Sequence, residues 1–223
     1  MKLHYLVRYS DRKTFGISVE RDASIIVRVP YGTSSDKIKD FVESKRFWIY
    51  TKQNHPQKYS RRQRKEFVSG AEIMFLGRSY RLEVVNTDKD ELFFNNRFLI
   101  SKKRQEQAPG IFKRWYIEKA SDKISKRVRF YANNLGVDYG DLNITELKYR
   151  WGSCTPKNNL NFNWKLIKAP IPVVDYVIVH ELAHLLESNH TSKFWNVVKT
   201  QLPKFPEAKT WLKDNGSLLE SDF

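Results

Sequence analysis

Residues 173–184 read Val-Val-Asp-Tyr-Val-Ile-Val-His-Glu-Leu-Ala-His. The run up to Val179 is nearly all apolar, as expected of a helix buried on most sides. His180 and His184 stand four residues apart, so on a helix they differ by about 40° in azimuth and about 6 Å in rise, and both imidazoles can meet one ion. Glu181 turns about 100° away from His180, where it can reach a metal-activated water without being a ligand. Polar groups on a buried helix need partners, and a metal ion would satisfy these three together. The pattern His-Glu-x-x-His therefore predicts a zinc site with Glu181 as general base.

The two histidines leave a third protein ligand to be found. Glu187 shares their helix face but lies about 10 Å further along the axis than His180, too far for one ion. His190 would be carried about 240° round by a continuing helix, to the wrong side. It becomes a ligand if the helix ends and the chain doubles back. Ser188-Asn189 is a suitable place, because Asn tolerates the left-handed conformation. His190 is the favoured third ligand, with Glu207 and Glu220 as distant carboxylate alternatives. Three histidines and an open position are the pattern of a catalytic zinc, one ion per chain.

Working outward, Pro170 and Pro172 open this helix, expected over about 172–187, and a last helix starts near Thr191 or Ser192 and is stopped by Pro203 and Pro206. Upstream, strands are expected at 144–151 and 160–164, joined by a turn through Pro156–Asn159. A long helix is expected over about 110–133, with Ile117, Ala120, Ile124, Val128 and Tyr131 at spacings of three and four and an end at Asn133-Asn134-Leu-Gly136. The first hundred residues are mainly β, with strands near 3–9, 15–19 and 24–29, one helix over roughly 36–53, and hairpins after Gly70 and around Asn95-Asn96. The charged stretch 101–109 ending in Pro suggests a boundary, dividing the chain into a β-rich N-terminal subdomain, 1–104, and a C-terminal domain, 105–223.

The 223 residues suffice for a sizeable core, and 40% hydrophobic content with 14% aromatics excludes a disordered chain. A single cysteine excludes an intramolecular disulfide framework. No apolar run is long enough to span a membrane, and charges interrupt the N-terminus too early for a signal peptide, so a cytoplasmic location is expected. The net charge is +15. Its densest run is Lys58, Arg61, Arg62, Arg64 and Lys65. Such runs attract polyanions without regard to sequence, which makes nucleic acid a second candidate partner.

Arg150-Trp-Gly-Ser-Cys154, Asn161, Pro172, Asp175 through His184, Asn189-His190 and Phe194-Trp195 together resemble the YgjP-like metallopeptidases. Ser69-Gly70 and Leu76-Gly77-Arg78-Ser79-Tyr80-Arg81 resemble the leading domain of that family. The resemblance implies an α+β chain whose second half is a small zincin-like metallopeptidase. It further implies His180, His184 and His190 as zinc ligands, Glu181 as base, and a peptide or protein substrate. It extends to SprT- and Wss1-type proteases and minimal gluzincins, which keeps a DNA-associated protease in view. A nucleic-acid-binding protein using the basic N-terminal half, or a zinc-stabilised protein without turnover, are the other readings. Tyr149, Arg150 and Tyr176 are candidate donors to an oxyanion, and an edge strand near 148–164 is a candidate partner for an extended substrate.

Overall fold

The computed structural model describes residues 3–20, 24–53, 66–87, 92–148 and 150–220. The basic run at 58–65 and Tyr149 lie outside these residues. The chain forms two compact units, Met1–Gln63 and Arg64–Phe223.

In the first unit, strands β1 (Leu6–Ser10), β2 (Gly16–Val19) and β3 (Ile25–Pro30) form a sheet in the order β1-β3-β2. β1 runs parallel to β3 and β2 antiparallel to it. Helices α1 (Ser35–Ser44) and α2 (Arg46–Gln53) follow. The single helix expected over 36–53 is thus two, parted at Lys45, whose ψ of 7° leaves the helical range. Ile38, Val42 and Ile49 pack with Ile25, Val27 and Val29 into a small core of their own.

The second unit begins with β4 (Glu72–Phe75), β5 (Arg78–Val85), β6 (Phe93–Phe94) and β7 (Phe98–Ser101), in the order β4-β5-β7-β6. A 3-10 segment leads into α3 (Ala108–Leu135), which ends on Gly136 in the left-handed conformation. The boundary expected at 104/105 falls inside this unit. The reason is packing: Phe75 and Phe98 of the sheet meet Trp115 of α3 at ring separations of 4.9 and 5.0 Å, and Phe98 meets Phe112 at 5.2 Å. Sheet and helix share one continuous core, which the charged surface stretch between them conceals from a reading of composition.

β8 (Leu142–Thr145), β9 (Gly152–Cys154) and β10 (Leu160–Asn163) make a third sheet in the order β8-β10-β9, leaving β9 at an edge. The strand expected at 144–151 is replaced by β8 and an irregular stretch, with β9 forming the hairpin to β10 through the expected turn. A 3-10 segment, Trp164–Lys168, then leads to α4 (Ile171–Ala183). Ten of the residues of α4 are buried, from Val173 through Ala183, consistent with its all-round apolar sequence. It packs against α3, β9, α5 (Ser192–Gln201) and α6 (Phe205–Leu219). α6 was not expected: Pro206 reads as a stop, yet here it occupies the first turn, where its missing N–H costs nothing.

Two contacts brace α4. Arg127 of α3 makes a bidentate ion pair with Asp175. Just ahead of the helix, the β4–β5 turn docks against the approach to α4: the N–H groups of Leu76 and Gly77 donate to the carbonyls of Ile167 and Lys168 at 3.0 and 2.8 Å. Gly77 has φ +80°, and a Cβ there would lie 2.7 Å from Cγ of Pro170.

Candidate metal centre

α4 ends at Ala183, with His184 as its cap, four residues earlier than the helix expected over about 172–187. The chain then turns tightly: Leu185 N–H bonds the Leu182 carbonyl, and the N–H groups of Leu186 and Glu187 both bond that of Ala183. The reversal does not use a left-handed residue at 188–189, since neither has positive φ. It returns His190 to the side of α4 that carries His180 and His184. One ligand atom from each of the three lies within 4.8 Å of the other two. Nε2 of His180 and Nε2 of His190 are 3.0 Å apart. Two nitrogens each 2.0–2.1 Å from a tetrahedral ion would be separated by about 3.3 Å, so the spacing suits a shared cation.

The surroundings orient the rings. Nδ1 of His184 lies 3.3 Å from the Glu187 carbonyl; a proton held there leaves Nε2 as the electron-pair donor. Phe194, fully buried at the start of α5, touches all three imidazoles, at ring separations of 5.0, 4.8 and 4.6 Å to His180, His184 and His190. Trp195 lies over His180 and His190 and stacks on Phe205 of α6. Burial, together with the neighbouring imidazoles and Lys209, lowers the pKa of His180 to about 4. His184 is lowered as well, first by burial. Both are thus neutral near pH 7, the state in which imidazole binds a metal. Nδ1 of His180 is buried and has no hydrogen-bond partner among the described residues.

Glu181 faces away from the three rings toward β9. It is 7% exposed, and burial raises its pKa from 4.5 to about 7, against the opposing pulls of the Cys154 backbone N–H and the Arg150 guanidinium. Gly152 makes the approach possible: a Cβ there would stand 2.7 Å from Cγ and 2.9 Å from Oε1 of Glu181. A cavity of about 460 Å3 opens over this carboxylate, lined by edge strand β9, by Arg150 and Trp151, by Tyr176, Val177, His180 and His184 of α4, and by Leu212 of α6. Asn163, wholly buried, holds the loop before β9: its side chain donates to the Leu147 carbonyl and accepts from Lys165 N–H.

Of the residues singled out from sequence, His180, His184, His190 and Glu181 come together here, as do Arg150, Tyr176 and the half-buried Cys154. Glu207 and Glu220 do not join the histidine cluster. Glu220 instead faces Lys165 at 3.7 Å. Gly152, Asn163, Phe194 and Leu212 went unread as site residues. The glycine inside Arg150-Trp-Gly-Ser-Cys154 was a usable signal, because glycine within a strand marks a close approach.

A helix carrying His-x-x-x-His, a third imidazole folded back from the next loop, and a buried glutamate under an edge strand are the parts of a metal-dependent hydrolase. The model of the YgjP-like metallopeptidase domain matches residues 13–215, and the chain belongs to that family. It is accordingly a hydrolytic enzyme, a metal-dependent protease. Among solved structures it is similar to the metallopeptidase zymogen abylysin of Pyrococcus abyssi, with 21% identity, TM-score 0.38, and coverage of 45% of this chain and 98% of that one. It is also similar to the zymogen jannalysin of Methanocaldococcus jannaschii, with 23% identity, TM-score 0.38, and coverage of 43% and 96%. Among curated proteins none matches. No helix among the described residues is long and apolar enough to cross a membrane.

Proposed function

We propose that this chain is a zinc peptidase in which His180, His184 and His190 hold one zinc ion and Glu181 is the general base. The observation that carries the reading is the convergence of three imidazole nitrogens within 4.8 Å, beside a buried carboxylate at the mouth of a cavity. The donor set suits zinc, which prefers nitrogen ligands in tetrahedral array and tolerates three protein ligands with one open position. Zinc bound there supplies a Lewis acid that polarises a carbonyl and brings the pKa of water near neutral.

The chain's own groups do the rest. The Glu181 carboxylate accepts a proton from the attacking water and delivers it to the leaving amine, a task suited to a group titrating at about 7. The Cys154 N–H, which bonds this carboxylate, keeps it aimed. β9, unpaired on one side among the described residues, offers backbone groups to a substrate lying extended as an added strand. Arg150 and Tyr176 line the same cavity and can donate to the developing oxyanion.

The test is metal analysis and peptide hydrolysis on protein purified without a histidine tag. The wild type should carry zinc near one equivalent and cleave members of a broad peptide library, whereas Glu181→Gln should keep the zinc and lose cleavage. Equal inactivity of both forms with zinc retained would overturn the peptidase mechanism in favour of a zinc-stabilised protein without turnover.

A further inference from the structure

Phe205, Lys209, Leu212 and Gly216 recur along α6 at spacings of four, three and four, so they share one face of the helix. Three of the four touch the site. Phe205 stacks on Tyr176 and on Trp195, and Leu212 lines the cavity. A Cβ on Gly216 would lie 3.6 Å from Trp151, another lining residue. Lys209 therefore faces the site as well. Its Nζ stands 4.4 Å from the centre of the Trp195 ring, which in turn lies over His180 and His190. Unlike the others on this face, Lys209 is exposed, which puts its ammonium at the rim.

A second exposed cation enters from the strand side. Arg150 precedes β9 and lines the cavity beside Trp151. Gly216, which meets Trp151, lies seven residues after Lys209, or about 10 Å along α6, the length of about three residues of extended chain. The mouth thus carries one cation toward each end. Neither Arg150 nor Lys209 forms an ion pair with a carboxylate among the described residues. Glu181 is the one carboxylate lining the cavity among those residues, and it is buried under β9. Two uncompensated like charges at a cleft attract anions to it and disfavour cations.

We propose that the site selects acidic peptides: an extended substrate added to β9 sets carboxylate side chains, on either side of the scissile bond, against Arg150 and Lys209. The guanidinium fork suits a carboxylate held bidentately, and the lysine acts as a point charge. The inference rests on the peptidase reading for its scissile bond. Binding to a Glu181→Gln protein is measured apart from turnover, so the two readings fail separately.

The test uses the full chain carrying Glu181→Gln, with zinc added, and labelled peptides with blocked termini. The peptides differ only at two central positions, both Glu, both Gln or both Lys. At about 100 mM salt, where exposed charges still act over about 10 Å, the Glu peptide should bind roughly tenfold more tightly than the Gln peptide. The Lys peptide should bind more weakly than either. Lys209→Gln and Arg150→Gln should each cut the Glu-over-Gln ratio about threefold, with zinc content unchanged. Lys209→Arg should keep the ratio, and Lys209→Glu should erase the advantage of the Glu peptide over the Lys peptide. Hydrolysis by protein that retains Glu181 should show the same order in kcat/KM. A Glu-over-Gln ratio near one, or equal weakening of both peptides by Arg150→Gln, would overturn the proposal. So would a Gln peptide with a free C-terminus that binds as tightly as the blocked Glu peptide, since the cations would then serve a chain end. Acid-selective binding without any hydrolysis by the wild type would instead overturn the peptidase reading and leave the acidic-peptide site standing.

Discussion

Gly152 and Glu181 stand so close that the β9 backbone covers one side of the carboxylate: a methyl group at 152 would lie 2.7 Å from Glu181 Cγ. The proposed base is therefore positioned by the absence of a side chain on the neighbouring strand. Gly152→Ala should displace the carboxylate or the strand and lower kcat by roughly a hundredfold, the scale of an ångström-sized misplacement. Zinc content should stay near that of the wild type. Unchanged kcat in this variant would show that the carboxylate has room to move.

Metal removal gives a second prediction. Three imidazoles packed around Phe194 make ion binding a contribution to folding stability. Chelation should lower Tm, with full recovery on adding zinc. His184→Ala should abolish most binding, and its Tm should then no longer respond to chelator. A chelator response identical to that of the wild type would place the ion elsewhere.

The metal-free protein should show two opposed pH dependences. Glu181 has a folded-state pKa of about 7 against 4.5, so its favourable term is complete below pH 4.5 and is lost as pH rises to about 7. That loss is roughly 3 kcal/mol. His180 has a folded-state value of about 4 against 6.5, so its term is absent below about pH 4 and grows as pH rises to 6.5. Between pH 4.5 and 6.5 the two largely cancel. Glu181→Gln removes one of them, and its metal-free Tm should climb more steeply with pH over that window. Parallel Tm profiles for the two proteins would contradict the assignment.

Asp175 is 5% exposed and bonded through both oxygens to Arg127, which keeps part of its side chain in water. Asp175→Ala leaves that cation without its partner and should destabilise the fold by about 2–3 kcal/mol, less than a fully buried pair because of the exposure. For a unit of this size Tm should fall by roughly 5–10 °C. A change within a degree or two would mean that water already satisfies Arg127.

The helix that carries the site could be read because its chemistry is local: His180, Glu181 and His184 fall within five residues, and helical geometry places them. The turn that returns His190 was legible from its downstream neighbours, since Thr191-Ser192 starts a new helix. Its conformation was not, because consecutive tight turns need no marker residue. Contacts between distant segments left weaker traces. Nothing near Leu212 or Phe194 says that these residues close over the histidines, because an apolar residue on an amphipathic helix looks alike whether it faces a core or a site. The continuity of the core across 104/105 leaves no trace in the sequence for a related reason. Polar residues at 101–107 signal exposure, and exposure does not reveal that Phe98 and Phe112 on either side meet in one core.

The turn at Leu76-Gly77 also makes the behaviour of α4 observable from a distance. Its two amide protons are held by the carbonyls just before the helix, so they exchange with solvent only when the hairpin lifts away from Pro170. Their protection, followed in deuterated buffer, is a clock for the opening of the enzyme body at the root of its histidine-bearing helix. If that opening belongs to global unfolding, the two amides should slow in step with the central amides of α4 when zinc is added. If the hairpin loosens by itself, they will run ahead, and the leading sheet will be seen to breathe while the site stays shut.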